Sequence, residues 1–344
     1  MITRRRAISG IVSGLIATPA VWTMSRRAHA QAKVLKLSHQ FPAAATDEGD
    51  FRDLLCKRFG AELEKRTKGA LTAQVYAGSS LVKPNSQISQ LRKAALDMSL
   101  CPVSYAGGEM PELNIGFMPA IIASYDQGYA WKKAEIGKEF TNFLLDRGVV
   151  LVTWVWQGGG IASRVAPIIN PDDVKGLKVR GGSREMDLVL KGAGAAVISL
   201  PSTELYAAMQ TGAMEVAMTT STSLLSFRLE ELTKNVTTSR KAGFYFVLEP
   251  ILMSKTIFDA LPKDQQDAIL TSGAAIEDWG RGRAQADDQV LAKVYAAKGV
   301  GVFDLDQNAA DKWKTIARES AWKDYGTKTP LCGKLLKLAE QVAA

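Results

Sequence analysis

The chain predicts an α/β protein of one large or two medium domains, on three observations. Segments that alternate apolar and polar residues, such as Val34–Leu37 and Leu71–Tyr76, take turns with segments of helical spacing, such as Phe51–Thr67. Beyond the first thirty residues about 310 remain, enough for one large or two medium domains with proper cores. Finally, Val149–Trp156 reads as one strand long enough to cross between two lobes, running into Gly158-Gly159-Gly160.

In chain order, the first strand ends in Ser38-His39-Gln40-Phe41-Pro42, and a polar loop leads to the helix 51–67. There Leu54, Leu55, Phe59 and Leu63 share a face that should cover a sheet, with Cys56 in or near the core. Gly69 ends that helix, Leu71–Tyr76 is the second strand, and Gly78-Ser79-Ser80 turns into a helix over 86–95. Leu96–Cys101 is the third strand, followed by Pro102-Val103-Ser104-Tyr105. Residues 117–147 read as helical and aromatic-rich. In the second half, strands are expected at Leu177–Val179, Ala196–Leu200, Met214–Met218 and Val300–Leu305, with helices at Glu185–Lys191 and after Pro201. Asp264–Ala344 is otherwise mostly amphipathic helix.

Ligands of open α/β sheets sit beyond the carboxyl ends of strands. That makes His39, Gln40, Phe41, Gly78, Ser104 and Tyr105 candidates for a cleft, with His39 also suited to satisfying local backbone. The strongest candidate is Arg180. A buried strand delivers it to its end, Gly181-Gly182 follow so that backbone can approach a ligand, and a new helix then begins. A guanidinium fork matches a carboxylate bidentately, and the free amides of a helix start favour an anion. Thr219 to Ser223 is a run of five hydroxyl residues at a strand end, suited to a polar ligand or to capping the next helix. Trp154 and Trp156 share one strand face, lining a cleft or filling a core.

The amino terminus carries Arg4-Arg5-Arg6, an uncharged run from Ala7 to Ser25, and Ala28-His29-Ala30. This is the pattern of an export signal cleaved after Ala30, and Thr3-Arg4-Arg5 admits a twin-arginine route. Cleavage removes five arginines and no acids, so the net charge falls from +8 to +3. A mildly basic chain without a long Lys/Arg cluster is not expected to bind nucleic acid. Cys56, Cys101 and Cys332 allow at most one disulfide. With no C-x-x-C and a single histidine after residue 30, no metal or other cofactor is expected. A Ser or Cys nucleophile would have only His39 as an imidazole base, and no G-x-S-x-G elbow is present.

Three motifs stand in order: D-D-V-K-G-L-K-V-R over 172–180, S-T-E-L-Y-A-A-M-Q-T-G over 202–212, and P-I-L-M-S-K-T-I-F-D-A-L-P-K-D-Q-Q-D-A-I over 250–269. Together with K-R-T-K-G-A-L at 65–71 they resemble the DctP-like solute-binding proteins of TRAP transporters, over essentially the whole chain after residue 30. The resemblance implies a two-lobed periplasmic binding protein fold, hinged by crossover strands with a long connecting helix. It divides the chain into a signal peptide at 1–30, a first lobe at 31–155, a second lobe at 156–250, and C-terminal helices with a strand packing across both lobes at 251–344. It further implies capture of a small organic acid in the periplasm, delivery to TRAP permease membrane subunits, and a monomer or weak dimer that is not an enzyme.

The resemblance places the family's carboxylate-holding arginine on Arg180 and its polar contact near Thr219 and Thr220, although Glu215-Val216 stand where Asp-Gly is usual. A second arginine common in the family falls near Gly160, where the nearest arginine is Arg164. Without a second fixed cation a dicarboxylate would lose a partner, at a cost of several kcal/mol once buried. The expected ligand therefore has one carboxylate and an uncharged remainder. Trp154, Trp156, Phe244, Tyr245 and Phe246 suggest an aromatic one. Two other readings stand beside this: an exported hydrolase or lyase acting on a small acid, and a binding protein serving a receptor or another transporter type.

Overall fold

A computed structural model describes residues 32–343. The expected export signal at 1–30 lies outside the described residues. Two sheets organise the chain. The first is built on β1 (Lys33–His39), followed by α1 (Phe51–Arg66), β2 (Leu71–Tyr76), α2 (Gln87–Arg92) and β3 (Met98–Leu100). After α3 (Tyr125–Ala130) and α4 (Glu135–Asp146), β4 (Val149–Leu151) completes its early part. The second sheet begins with β5 (Trp156–Ser163) and adds β6 (Lys178–Arg180), α5 (Arg184–Gly192), β7 (Ala196–Ile198), α6 (Leu205–Gln210), β8 (Val216–Thr220), α7 (Ser221–Ser226), β9 (Asn235–Thr238) and β10 (Phe246–Leu248). Then come β11 (Ile251–Ser254), α8 (Lys255–Asp259), α9 (Lys263–Ala297), β12 (Gly301–Asp304), α10 (Gln307–Ala317), α11 (Lys323–Gly326) and α12 (Pro330–Glu340).

The first sheet has the order β2-β1-β3-β11-β4, and the second β12-β9-β5-β8-β6-β7 with β10 also on β5. β11 therefore returns to the first sheet, between β3 and β4, and β12 joins the edge of the second beside β9. The result is a two-lobed α/β fold. α9, 35 residues long, packs on α1 at one lobe and on α7, β5 and β9 at the other. Apolar side chains of α1 (Leu55, Phe59, Leu63) meet Leu35, Leu37 and Ile276 in one core, and Leu205, Met209, Leu224 and Leu291 form another. The third and largest core joins Phe140, Trp131 and Trp156 to Trp313 and Trp322 of the C-terminal helices. No helix among the described residues is long and apolar enough to cross a membrane.

The continuous strand expected over 149–156 is two strands in different sheets. Between them Val152–Val155 has left both ladders, and its amides are satisfied otherwise. Val152 donates to the Ile251 carbonyl at 2.9 Å and Trp154 to Glu277 Oε1 at 2.8 Å. The returning segment lies alongside, with the Glu249 amide on the Val155 carbonyl at 2.9 Å and the Ile251 amide on Thr153 Oγ1 at 2.8 Å. These two stretches are the crossovers. Gly158-Gly159-Gly160 are part of β5. A Cβ on Gly159 would sit 1.9 Å from the Tyr245 ring, so glycine is what lets that ring lie across the strand. Residues 117–147 are also less helical than the composition suggests, because 118–124 is irregular. The helix expected over 86–95 ends at Arg92, two residues before Ala94 turns to φ +53°. The carboxyl ends of β1, β3, β6, β7 and β8 supply the residues of the site.

Candidate functional site

Arg180 ends β6 and is only 2% exposed. Its Nε donates to the Leu200 carbonyl at 3.0 Å and its Nη1 to the Met218 carbonyl at 3.0 Å. No carboxylate of the described residues lies within the 4.0 Å of an ion pair. The guanidinium is thus hydrogen-bonded by neutral acceptors, with no carboxylate of the described residues in direct contact. Gly182 follows with φ +91°, and a Cβ there would lie 2.6 Å from Arg180 Nη1. Both the left-handed backbone and the space require glycine. Asp187, one turn into α5, is the nearby carboxyl. Burial pushes it up to about 6 against the pull of Arg180 and Lys191.

Across the cleft stand residues that follow strands of the first sheet. Gln40 Nε2 lies 3.2 Å from Ser202 Oγ and 3.4 Å from Tyr105 Oη, while the Ser202 amide donates to Tyr105 Oη at 3.1 Å. Ser202 begins the turn after Leu200, whose carbonyl holds Arg180. The amide oxygen of Gln40 and the hydroxyl of Ser104 are buried without a partner among the described residues. Ser104 and Tyr105 also line a cavity of about 270 Å³ with Gly182, Ser199 and Pro201. A guanidinium without a counter-ion and unfilled hydrogen-bonding groups thus frame the space between the lobes.

Of the residues expected to line the cleft, Gln40 and Tyr105 meet at Ser202, Ser104 and Tyr105 share a cavity wall, and Arg180 is tied to the same turn through the Leu200 carbonyl. Thr219 and Thr220 lie in β8 one strand away. The Thr219 carbonyl and that of Gly160 both lie within hydrogen-bonding reach of Tyr245 Oη, at 2.8 and 2.6 Å, and Thr220 caps α7 by accepting from the Ser223 amide. Of the two roles open to the hydroxyl run, capping is the one seen. His39 is occupied: Nε2 meets Asp53 Oδ1 at 2.9 Å and Nδ1 accepts from the Phe41 amide at 3.2 Å. Phe41 is fully buried under the Arg52 guanidinium, 3.4 Å from its ring centre. Gly78 makes a turn with φ +64°, its amide on the Phe41 carbonyl.

Four of the residues considered for the cleft are held in contacts within the protein. Trp156 is core, set edge-on to Trp131 at 5.2 Å and against Gly128. Trp154 packs on Phe140 at 6.3 Å. Phe244 stacks on Trp313 at 4.7 Å, in the core shared with α10. Arg164 is at the wrong end of β5: its Nη1 donates to the Met209 carbonyl at 2.8 Å, closing α6. The register explains this, since Ser163 pairs with Val216 at the start of β8 whereas Gly160 and Gly159 pair with Thr219 and Thr220 at its end.

Sequence reasoning missed Arg52. It is completely buried, bonded to Asp50 at 2.6 Å and Glu249 at 3.2 Å, and its Nη1 reaches Ser223 Oγ at 3.0 Å and Thr220 Oγ1 at 3.4 Å. Glu249 in turn accepts from Gln157. This cluster ties α1 to a crossover and to the start of α7. A signal existed, because Arg52 shares the apolar face of Leu55 and Phe59, where a charge needs a buried partner.

Fold and site together define a two-lobed solute receptor. The model of the DctP family, described as bacterial extracellular solute-binding protein, family 7, matches residues 44–328. A solute-binding protein of Albidiferax ferrireducens is 54% identical over 338 residues, covering 98% of this chain and 99% of that one. The C4-dicarboxylate-binding periplasmic protein DctP of Rhodobacter capsulatus is 26% identical over 95% of this chain and 93% of its own. The crystal structure of a TRAP periplasmic solute-binding protein from Rhodoferax ferrireducens, with bound malonate, superposes with a TM-score of 0.88 at 56% identity, covering 90% of this chain and 98% of that one. A Bordetella pertussis receptor binding pyroglutamic acid shares the fold, with a TM-score of 0.80 at 22% identity, over 90% of this chain and 100% of its own. The chain belongs to the DctP family of TRAP solute-binding proteins, and it is a binding protein rather than an enzyme.

Proposed function

We propose that this protein captures a small organic carboxylate in the periplasm, after cleavage of residues 1–30, and delivers it unaltered to TRAP permease subunits in the membrane. One observation carries the reading. Arg180 is buried, aimed by two carbonyls and has no carboxylate partner among the described residues, so the missing counter-ion is the ligand. Burying a cation without a counter-ion is unfavourable, and a bidentate carboxylate relieves it while gaining two charge-assisted hydrogen bonds. Malonate bound to the 56% identical protein supports the class of ligand.

The favoured ligand has one carboxylate and an uncharged remainder. Arg164 is engaged at the far end of β5, so it supplies no second cation. The aromatic side chains that pointed to an aromatic remainder are committed to cores, whereas Gln40, Ser104 and Tyr105 offer amide and hydroxyl groups. The favoured remainder therefore carries hydroxyl or carbonyl groups. A short dicarboxylate is the competing reading, since malonate is what the similar receptor holds. As moving bodies we assign 31–155 and 156–250 to the two lobes and 251–344 to the region spanning both. This accords with β11 joining the first sheet and β12 the second.

Calorimetry with lactate and glycolate against malonate, succinate and malate tests the reading. Micromolar binding of a monocarboxylate, lost at least a hundredfold in Arg180→Met, is expected. Tight binding of dicarboxylates alone would replace the favoured ligand, and undiminished binding in Arg180→Met would remove the site.

A further inference from the structure

A recess of about 720 Å³ lies away from the cleft, between the loop Ala44–Asp47, α1 and α9. Its wall holds Trp279 with two guanidiniums on it: Arg58 at 4.3 Å from the ring centre and Arg283 at 5.8 Å. Neither arginine makes a hydrogen bond or ion pair with any described residue. This holds although Asp47 lines the same recess and most arginines elsewhere are paired, as Arg66, Arg184, Arg240 and Arg281 are. Arg283 Nε is moreover buried with no partner among the described residues. Lys57 adds a third positive charge, although its ammonium is held by Asp53 at 2.7 Å and the Ala44 carbonyl at 2.7 Å.

Stacking on an indole holds a guanidinium in place at a gain of about 0.5–1 kcal/mol at exposed sites, and leaves its N–H edges free to donate in the ring plane. Two forks ordered by one ring have already lost much of the rotamer freedom that binding would otherwise remove. We propose that this recess is a docking site for an acidic, extended segment of a partner protein, whose carboxylates engage Arg58 and Arg283 beside Trp279. Its size favours a segment of several residues over a free small anion, which would remain hydrated there and be screened by salt. Its concave wall, with Asp47 inside, is unsuited to a flat anionic membrane surface.

The test uses the chain after export-signal removal, ¹⁵N-labelled, with hexaglutamate as probe. The Trp279 indole N–H, assigned through Trp279→Phe, is expected to shift on titration at low salt. The apparent Kd should rise at least tenfold between 20 and 200 mM salt, and binding should vanish in the double variant Arg58→Glu/Arg283→Glu. Calorimetry of the cleft ligand should read the same in that variant, showing that the fold is intact. No shift with hexaglutamate would overturn the proposal. So would an equal shift with acetate at matched carboxylate concentration, which would make the site one for free anions, or binding only to phosphatidylglycerol vesicles, which would make it a membrane contact.

Discussion

Two buried arginines, Arg52 and Arg180, differ in their partners. Arg52 faces Asp50 and Glu249, so replacing it leaves two buried carboxylates without their cation. Arg52→Met is expected to cost about 3–5 kcal/mol, read as a lowered urea midpoint at unchanged m-value. Arg180 faces two carbonyls and no carboxylate, so Arg180→Met should leave the ligand-free protein as stable or more so while removing carboxylate capture. The pair of variants would separate a structural charge at Arg52 from the binding charge proposed at Arg180. Gly159 belongs to the same scale. A methyl group there would enter the Tyr245 ring, and since Tyr245 Oη also meets the Gly160 and Thr219 carbonyls, the ring has no simple retreat. Gly159→Ala should lower stability by about 1–3 kcal/mol, visible in thermal unfolding.

At the scale of elements, the entry to α1 is held by carboxylates. Asp50 caps the helix by accepting from the Arg52 amide. Asp53 meets His39 and Lys57 and accepts from the Ala44 amide. Burial pushes Asp53 up, but the hydrogen bonds from His39, Lys57 and Ala44 outweigh it and hold the carboxyl at about 2. A lowered folded value means that the unfolded chain takes up the proton first. This contribution is therefore present above the ordinary 3.8 and is lost as pH falls towards 2. Asp53→Asn should flatten the acid limb of the stability profile between those values in urea titrations. The turn at Ser202 joins the lobes through Gln40 and Tyr105. If ligand binding is coupled to this contact, Tyr105→Phe should speed ligand release several-fold in stopped-flow measurements while leaving the unfolding midpoint nearly unchanged.

The lobes touch at the Ser202 turn and at Glu185, where burial pushes a carboxyl up to about 7. Glu185 on α5 is fully buried and accepts from Asn114 Nδ2 at 3.0 Å, linking α5 to the segment Pro111–Phe117. Burial pushes its carboxyl up to about 7, against the opposing effects of its own backbone amide, Arg184 and Asn114. A raised folded value for an acid means that the native state holds the proton longer than the unfolded chain. Stability from this group is thus full below the ordinary 4.5 and declines as pH rises through about 7. Glu185→Gln should remove that decline, measured as unfolding midpoints from pH 4 to 8.

The α/β class, the first helix, the second strand and the position of Arg180 at a buried strand end were legible in the sequence, because each follows from local periodicity or from one residue type at a strand end. Three features were not: the break of the 149–156 strand, the assignment of β11 and β12 to different sheets, and the placing of Trp156, Phe244 and Arg164 away from the cleft. Periodicity fixes which way a side chain faces along its own strand, but only the pairing of distant strands decides what lies opposite that face. Register put Arg164 and Gly160 at opposite ends of β8, and the packing of α3 and α10 turned the aromatic residues into core. A buried charge is therefore readable from sequence as a demand for a partner. Whether a carboxylate of the protein meets that demand, as at Arg52, or a ligand is left to meet it, as proposed for Arg180, was decided only when the chain brought Asp50 and Glu249 to one arginine and bare carbonyls to the other.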